Sequence, residues 1–289
     1  MKNIKTNTTG IAHFLFLAVS VVVVTSIVGT YYLVSSKAEQ LDPVASSAAL
    51  SSISYKYNLQ SYYVQRLDGR VLANYRATAP PKEPASLLKP VIADIAIRFN
   101  GDMNSRIRIE SKHLYGCGLD GNHRIGQTIK LKTAINLALR NSDNVAANAL
   151  ISFGGGLEQV NARVHGPLSG GSYQSTRVVD YYKCSGNNNA TSAQDVSQAM
   201  QTIFTTNSRG YTIARSALKG AAKTNNYWQI PRAYANKYGA TNEVSGNSAI
   251  IKRGSKKYII TVYANRPNAG SDIRGATIAL ANLAPRLNH

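Results

Sequence analysis

The chain has 289 residues, of which 44% are hydrophobic, and its 33 lysines and arginines outnumber 14 acidic residues to give a formal net charge of +19. The basic residues are scattered, and no zinc-finger, RNA-recognition or helix-turn-helix signature accompanies them, so nucleic acid is not the expected partner. A solvated basic surface facing anionic lipid or an anionic cell-wall polymer explains the charge more simply.

The first feature along the chain is an apolar run over residues 10–34 that contains no charged residue, with two lysines before it and Lys37 after it. A run of this length spans a bilayer as a helix, and the upstream lysines favour a cytoplasmic N-terminus. We therefore predict a cytoplasmic tail over residues 1–9, a single transmembrane anchor over residues 10–36, and an extracytoplasmic remainder held at the cell membrane.

Residues 37–54 are predicted to be a linker, because residues 41–54 are rich in serine and alanine and show little periodicity. The segment contains Ala45-Ser46-Ser47, a small-residue sequence at which a signal peptidase could cleave and release a secreted protein. That site lies well past the apolar run, so a retained anchor is the favoured interpretation. The remainder, residues 55–289, suits one large domain.

Strands are predicted at both ends of this domain. Alternating residues on either side of an Asp68-Gly69 turn predict a hairpin near its start. The predicted strands cover residues 61–67, 70–75, 234–240, 248–253 and 257–263. Helical periodicity covers residues 86–99, 131–139, 144–153, 157–164, 192–204, 213–222 and 274–287, and residues 166–189 form a long irregular loop. This order predicts an α+β fold, in which one antiparallel sheet of N- and C-terminal strands packs with a helical region.

The first motif that carries chemistry is Ser86-Leu87-Leu88-Lys89, which follows a proline-rich loop over residues 77–84. One helical turn brings the lysine amine near the serine hydroxyl, and an amine that can lose its proton is the base that a weak serine nucleophile needs. N–H groups at a helix start can also bind a developing oxyanion. The pattern recurs at Ser216-Ala217-Leu218-Lys219, but there it lies inside a helix and nothing after it completes a site.

Two further segments fall, like the first, at boundaries between the sheet and the helical region. Ser142-Asp143-Asn144 precedes a helix of small residues, and alone it is equally well a helix-breaking loop or an N-cap. Lys237-Tyr238-Gly239-Ala240-Thr241 lies on the first closing strand, where the glycine permits close approach of another backbone.

In this order the three segments resemble the active-site set of class A β-lactamases and penicillin-binding proteins. The resemblance covers residues 55–289 and implies that Ser86 is the nucleophile, Lys89 the base and Ser142 a proton relay to the leaving group. Substrate binding is then assigned to Asn144 for the substrate amide, Lys237 for its carboxylate, Gly239 and Ala240 at the oxyanion hole, and Thr241 beside them. Neither a cofactor nor a metal is implied.

Two departures from the family pattern bear on the reaction. The family has Thr or Ser where Tyr238 stands, and a phenol cannot place its hydroxyl where a short side chain does. Class A β-lactamases also carry a glutamate on the long loop that activates water for hydrolysis of the acyl-enzyme. Between Gly166 and Ala193 this chain has no glutamate, and Asp180 is its only acid. Rapid β-lactam turnover is therefore not expected.

The chain has two cysteines, Cys117 and Cys184. An even pair in an external domain indicates a disulfide, whereas the neighbouring His113 and His123 supply no recognised zinc spacing. The resemblance places Cys117 on a segment at one rim of the site and Cys184 on the long loop at the other rim. We therefore hypothesise that a disulfide bond between them links the two rims. Two free thiols counted without reductant would contradict it.

These observations favour a membrane-anchored, extracytoplasmic serine hydrolase that forms an acyl-enzyme on Ser86 and clears β-lactams slowly. One alternative is a carboxypeptidase or transpeptidase that acts on cell-wall peptides. The other is a catalytically weak binding protein that keeps the fold and uses its basic surface on the cell envelope. A β-lactam or a cell-wall peptide is the candidate ligand.

Overall fold

A computed structural model describes residues 41–81, 83–99, 101–115, 123–166, 173–183, 188–223, 230–265 and 270–287. These residues belong to one compact unit, Leu41–His289. The predicted tail, the predicted anchor and both cysteines lie outside the described residues. Within those residues, no helix combines the length and the apolar character needed to cross a membrane.

One five-stranded antiparallel sheet dominates the fold, and its strands come from the two ends of the domain. In chain order the strands are β1 (Leu59–Arg66), β2 (Val71–Tyr75), β3 (Arg106–Arg108), β4 (Thr128–Lys130), β5 (Ala233–Ala240), β6 (Ser245–Arg253) and β7 (Lys256–Ala264). The large sheet has the order β2-β1-β7-β6-β5, and β3 pairs with β4 in a separate ribbon. Tyr62 of β1 faces Tyr75 of β2 on one side and Val262 of β7 on the other. The predicted α+β arrangement is therefore confirmed.

Eight helices accompany the strands in the described part of the chain. They are α1 (Pro43–Lys56), α2 (Lys89–Phe99), α3 (Leu131–Asn136), α4 (Asn144–Phe153), α5 (Gly156–His165), α6 (Ala193–Thr205), α7 (Arg209–Ala221) and α8 (Gly270–Leu283). Helices α2 to α7 share one large hydrophobic core with one face of the sheet. A second core, which includes Val262, Ile273 and Leu280, joins the other face of the sheet to α8. The active-site segments lie on the first of these two faces.

Residues 43–56, which include most of the segment predicted to be a linker, form the helix α1. The side chain of Asp42 caps this helix by accepting a hydrogen bond of 2.7 Å from the backbone N–H of Ala45, and Pro43 occupies its first turn. Leu50 and Ile53 pack against the second core. Small alanine and serine side chains cover most of the helix and hide the apolar periodicity that this packing needs.

The helix predicted over residues 131–139 is α-helical only in its first part. The change in helix type occurs directly before the second motif and determines where that motif lies. After α3 the chain forms a π-helical turn over Leu137–Asn141. Ser142 then takes a left-handed backbone conformation, with φ 61° and ψ 26°, before Asp143 caps α4. A left-handed non-glycine residue is uncommon and costs backbone energy. The surrounding contacts therefore hold Ser142 in place, at the point where it faces α2.

Candidate active site

Ser86 and Lys89 meet where a short 3-10 turn over Ala85–Leu88 continues into α2. The Lys89 Nζ lies 3.0 Å from the Ser86 Oγ. Three residues of helical chain bring the two side chains onto one face, as the spacing predicts. Ser86 is half-buried and Lys89 is fully buried, so the serine is partly exposed to solvent while the lysine is not. A nucleophile beside a shielded amine can thus form here.

The buried amine of Lys89 is surrounded by oxygen atoms of the second motif. Its Nζ lies 2.6 Å from Asn144 Oδ1 and 3.2 Å from Ser142 Oγ, and it also contacts the carbonyl oxygen of Ser142. These contacts satisfy the donors that a buried ammonium group presents. They also fix the amine in the position from which it reaches the Ser86 hydroxyl.

Burial lowers the pKa of Lys89 well below its ordinary value of 10.5, and the positive charge of Lys237 lowers it further. Asp143 opposes this shift through its negative charge. Removing an ammonium group from water disfavours the charged form, and a second cation nearby has the same effect. The shift therefore favours the neutral amine that a general base requires.

Lys237 of β5 contacts the same serine of the second motif. Its Nζ donates to Ser142 Oγ at 2.8 Å and to the carbonyl oxygen of Tyr238 at 2.8 Å. Burial lowers the pKa of Lys237 to about 7. The Ser142 hydroxyl thus lies between two lysine amines, and it can accept a proton from one while passing its own onward.

Asp143 fixes the loop that carries Ser142 and Asn144. The carboxylate is fully buried and accepts a hydrogen bond of 2.7 Å from the backbone N–H of Ala146. Its other oxygen lies 3.1 Å from His123 Nε2. An Asp at the N-cap position accepts a hydrogen bond from a backbone N–H group in the first turn of α4 that has no partner within the helix. This bond also fixes the backbone that leads into the helix. Asp143 therefore braces the loop.

Gly239 brings β5 into close contact with the turn that holds Ser86. A Cβ atom at this position would lie 2.5 Å from the backbone nitrogen of Ser86 and 3.0 Å from that of Leu87. No side chain fits in that space, so the glycine is needed for the strand to approach. The next residue, Ala240, is exposed beside the turn. The backbone N–H of Ser86 and that of Ala240 are thus on facing elements, as an oxyanion hole requires.

Thr241 lies at the end of β5, and its hydroxyl is engaged locally. Its Oγ1 accepts hydrogen bonds of 3.2 Å from the backbone N–H groups of Glu243 and Val244. The hydroxyl hydrogen remains available as a donor toward a substrate.

Tyr238 is the residue that departs from the family pattern. The centre of its ring lies 5.2 Å from Lys237 Nζ, and burial raises the pKa of its phenol.

Tyr182 is a site residue that sequence reasoning missed. The centre of its ring lies 4.9 Å from Lys89 Nζ, and its hydroxyl donates to the carbonyl oxygen of Ala85 at 3.4 Å. Tyr182 belongs to the loop in which the family carries its glutamate, and it is 3% exposed. No spacing rule selects it, because only the course of the loop through space brings it to Lys89.

Asn148 of α4 holds the backbone of Tyr182 in this position. Its side-chain amide accepts from the Tyr182 N–H at 2.7 Å and donates to the Tyr182 carbonyl at 3.0 Å. The same amide nitrogen donates to the carbonyl of His113 at 3.1 Å. Asn148 is fully buried. One side chain therefore ties the long loop and the neighbouring rim to the helix that carries Asn144.

The second copy of the serine-lysine pattern takes no part in this site. Ser216 is exposed in the middle of α7, and the Lys219 amine lies 4.5 Å from the centre of the Tyr234 ring.

Cys117 and Cys184 lie outside the described residues, so their predicted disulfide stays a prediction. Across the described ranges, no group of three or more potential ligands among His, Cys, Asp and Glu is arranged to hold a metal ion.

Comparison with protein families identifies one family over most of the chain. The family described as "Beta-lactamase enzyme family" matches residues 47–285. Among curated proteins, no sequence matches.

Solved structures of several related proteins share the fold. A protein described as PBP-A is similar with a TM-score of 0.69 at 17% identity, covering 81% of this chain and 95% of that one. A class A beta-lactamase from Bacteroides cellulosilyticus DSM 14838 gives a TM-score of 0.67 at 15% identity, with coverage of 82% and 97%. A D-alanyl-D-alanine carboxypeptidase from Mycobacterium tuberculosis H37Rv gives 0.61 at 19% identity, with coverage of 76% and 89%.

Proposed function

We propose that this chain, which belongs to the beta-lactamase enzyme family, is a membrane-anchored, extracytoplasmic serine hydrolase that forms an acyl-enzyme on Ser86. The observation that carries the proposal is the 3.0 Å approach of the buried Lys89 amine to the half-buried Ser86 hydroxyl. The apolar run over residues 10–34 supports the anchor, because its length suits a bilayer-spanning helix.

Acylation follows from the contacts around Lys89. The neutral amine takes the proton of Ser86, and the oxygen attacks the carbonyl carbon of the amide that is cleaved. The backbone N–H groups of Ser86 and Ala240 bind the oxygen that becomes negative. The bond from carbon to nitrogen then breaks, and Ser142 delivers a proton to that nitrogen. Lys89, which holds the proton taken from Ser86 and lies 3.2 Å from Ser142 Oγ, replaces this proton.

Substrate binding is assigned to the groups that surround this centre. Asn144 presents its amide beside Lys89 and can bind an amide group of the substrate. Lys237 places positive charge near the strand edge, where a substrate carboxylate would be attracted. Gly239 keeps the strand close to Ser86 so that both oxyanion donors converge. This combination suits an acyl compound that bears a carboxylate, which describes both β-lactams and the ends of cell-wall peptides.

Deacylation is proposed to be slow for β-lactams. The loop over residues 166–193 has no glutamate to activate water, and the aromatic ring of Tyr182 covers one side of Lys89 instead. A phenol whose pKa is raised by burial is not a base at neutral pH. The acyl-enzyme would therefore persist. Penicillin held as an acyl-enzyme is described for a fold relative, the L158E mutant of PBP-A, at 17% identity.

A second candidate function is a carboxypeptidase or transpeptidase reaction on cell-wall peptides. The same covering of Lys89 by Tyr182 favours the transpeptidase reaction, because an acyl-enzyme shielded from water can await an amine acceptor, whereas a carboxypeptidase releases its acyl group to water. The similar fold of the D-alanyl-D-alanine carboxypeptidase is consistent with this candidate. Both functions use the same nucleophile and base, and they differ in the acceptor that releases the acyl group.

The experiment uses the full-length chain in detergent, incubated with a fluorescent penicillin and followed by intact mass over time. A persistent adduct on Ser86 that is absent in Ser86→Ala supports the proposal. Ser216→Ala is the matched control, because it removes the serine of the second Ser-x-x-Lys copy and should leave the adduct unchanged. Rapid loss of the adduct would refute slow deacylation. Absence of any adduct would favour the catalytically weak binding protein or a different ester or amide substrate.

A further inference from the structure

The turn between β6 and β7 concentrates positive charge at one end of the large sheet. Four basic residues flank this turn, and Lys252 faces Lys257 across the two strands while Arg253 faces Lys256. Like charges directly opposite each other destabilise a strand pair. Two consecutive pairs of this kind form a cationic tip that favours a negatively charged partner. We name Lys252, Arg253, Lys256 and Lys257 the cationic tip.

Acidic side chains do not neutralise the cationic tip within the described part of the chain. Asp68 lines the same surface pocket as Lys256 and Lys257, and Asp42 caps α1; both have other partners. Asp68 pairs with Arg66 at 2.5 Å, and Asp42 accepts from the backbone N–H of Ala45 at 2.7 Å. The Arg253 guanidinium donates to the neutral amide of Asn282 at 2.8 Å. The Lys257 amine lies 4.5 Å from the centre of the Tyr234 ring, so Lys252 and Lys256, both exposed, present the charge of the tip to a partner.

The chain enters the described domain beside this tip. The backbone N–H of Leu41 donates to the carbonyl of Arg286 at 3.2 Å, just past the end of α8. Asn282, in the last turn of α8, holds Arg253 of the tip. Only residues 35–40 separate Leu41 from the apolar run that ends at residue 34. Six extended residues reach at most about 20 Å.

We propose that the cationic tip contacts the anionic lipid headgroups of the bilayer that holds the apolar run. This inference rests on the proposed membrane anchor and adds a surface and a partner to it. Lysines and arginines close to a membrane surface gain favourable free energy from anionic lipids within about a Debye length, roughly 8 Å at physiological salt. Only six residues separate Leu41 from the apolar run, so lipid headgroups are within the reach of the tip.

Contact at the tip would direct the active site away from the membrane. Gly246, which packs on Leu87 beside Ser86, lies at the opposite end of β6 from Arg253. Seven residues of strand span about 23 Å. A domain that rests on its cationic tip therefore presents Ser86 toward polymeric substrates outside the bilayer.

The test compares the full-length chain reconstituted in neutral phosphatidylcholine vesicles and in vesicles with about one third phosphatidylglycerol. Lysines are acetylated with a water-soluble ester, and the rates are read by peptide mass spectrometry. Acetylation of Lys252 and Lys256 should be roughly fivefold slower in the anionic vesicles, with recovery at high salt. Lys130 in the β3–β4 ribbon should show equal rates. Equal rates at the tip in both vesicles would overturn the inference.

Matched variants separate the tip from general charge. Hydrogen exchange of the turn between β6 and β7 should be slower in anionic vesicles for the unmodified chain. K252Q/K256Q/K257Q should lose this difference, and R106Q/R108Q/K130Q, which removes the same number of charges from the β3–β4 ribbon, should keep it. Loss of the difference in the ribbon variant alone would contradict the assignment to the tip.

Flotation distinguishes failure of the anchor from failure of the tip. A chain that leaves neutral vesicles in an alkaline wash would refute the proposed anchor. Anionic vesicles added to that chain would still report whether they slow acetylation at the tip. Protection by soluble polyphosphate without protection by anionic vesicles would assign the tip to an anionic polymer and overturn the lipid assignment.

Discussion

The ring of Tyr182 lies over the amine of Lys89, with 4.9 Å between the ring centre and Nζ. An aromatic face favours the ammonium form, whereas burial and Lys237 favour the neutral amine. The net direction is a lowered pKa, so Tyr182 moderates a shift that other groups dominate. This balance sets the pH at which the base becomes available.

Replacing Tyr182 with leucine should shift acylation to lower pH. Loss of the aromatic face removes about 1 kcal/mol of support for the ammonium form, which corresponds to a fall of about 0.7 in the pKa of Lys89. We expect the rising limb of the plot of acylation rate against pH, measured with a chromogenic penicillin, to move to lower pH by the same amount. Tyr182→Phe keeps the ring and should leave the limb in place. A limb that moves equally in both variants would implicate the hydroxyl instead.

Loss of the Asn148 amide should reproduce the same shift together with a loss of stability. Asn148→Ala removes three buried hydrogen bonds that hold the backbone of Tyr182 and His113. Each is worth roughly 1 kcal/mol, so the free energy of unfolding should fall by about 3 kcal/mol. Urea unfolding measures the stability, and the acylation profile measures the position of Tyr182. A stability loss without any shift of the profile would mean that the loop keeps its place unaided.

Acylation should decline again as the pH rises through about 7, the pKa to which burial lowers Lys237. The amine is charged below this value and attracts a substrate carboxylate, whereas above it the charge is lost. The rate for a penicillin carboxylate should therefore be bell-shaped, with Lys89 giving the rising limb. The corresponding uncharged methyl ester should lack the falling limb.

Lys237→Arg provides the matched control for this pH dependence, because an arginine remains charged over the whole range. Its falling limb should move to higher pH even where the absolute rate drops. A falling limb that stays near neutral pH in Lys237→Arg would assign that limb to another group.

Gly239→Ala should abolish acylation and destabilise the domain. Its methyl group would lie 2.5 Å from the backbone nitrogen of Ser86, so β5 must move away from the turn. Such overpacking costs about 1–3 kcal/mol, and the displacement separates the two oxyanion donors. Gly101→Ala is the matched control, because a Cβ at Gly101 meets no atom within 4 Å. Penicillin labelling and thermal unfolding of the two variants should therefore differ, and equal labelling would contradict the oxyanion assignment.

Much of the architecture could be predicted because the local patterns are strong. The Asp68-Gly69 turn specifies the hairpin of β1 and β2, and the spacing of Ser86 and Lys89 specifies one helical face. Helix α1 could not be recognised from periodicity, since alanine and serine conceal its apolar side. Its Asp42-Pro43 start was nevertheless a usable signal. The short β3–β4 ribbon lies below the length at which alternation is informative.

The site was less predictable than the fold, because it depends on contacts between distant segments. The three motifs indicate which groups converge on Ser86. They do not indicate that Ser142 lies between two lysine amines or that Tyr182 covers Lys89, since both depend on loop geometry. Burial of both amines is likewise a property of the packed core. Sequence patterns therefore identify the participants, and packing determines their protonation.

The strand order has a consequence for how the protein acquires its structure. Tyr62 of β1 pairs with Val262 of β7, about 200 residues later in the chain, and contacts of such separation slow folding. During synthesis, the edge of β1 that pairs with β7 stays unpaired until nearly the whole chain has left the ribosome. The third motif is on β5, which reaches the rest of the sheet only through β6 and β7. Nucleophilic chemistry at Ser86 is therefore among the last properties to appear, and a chain truncated before β7 would carry all three motifs without an assembled site.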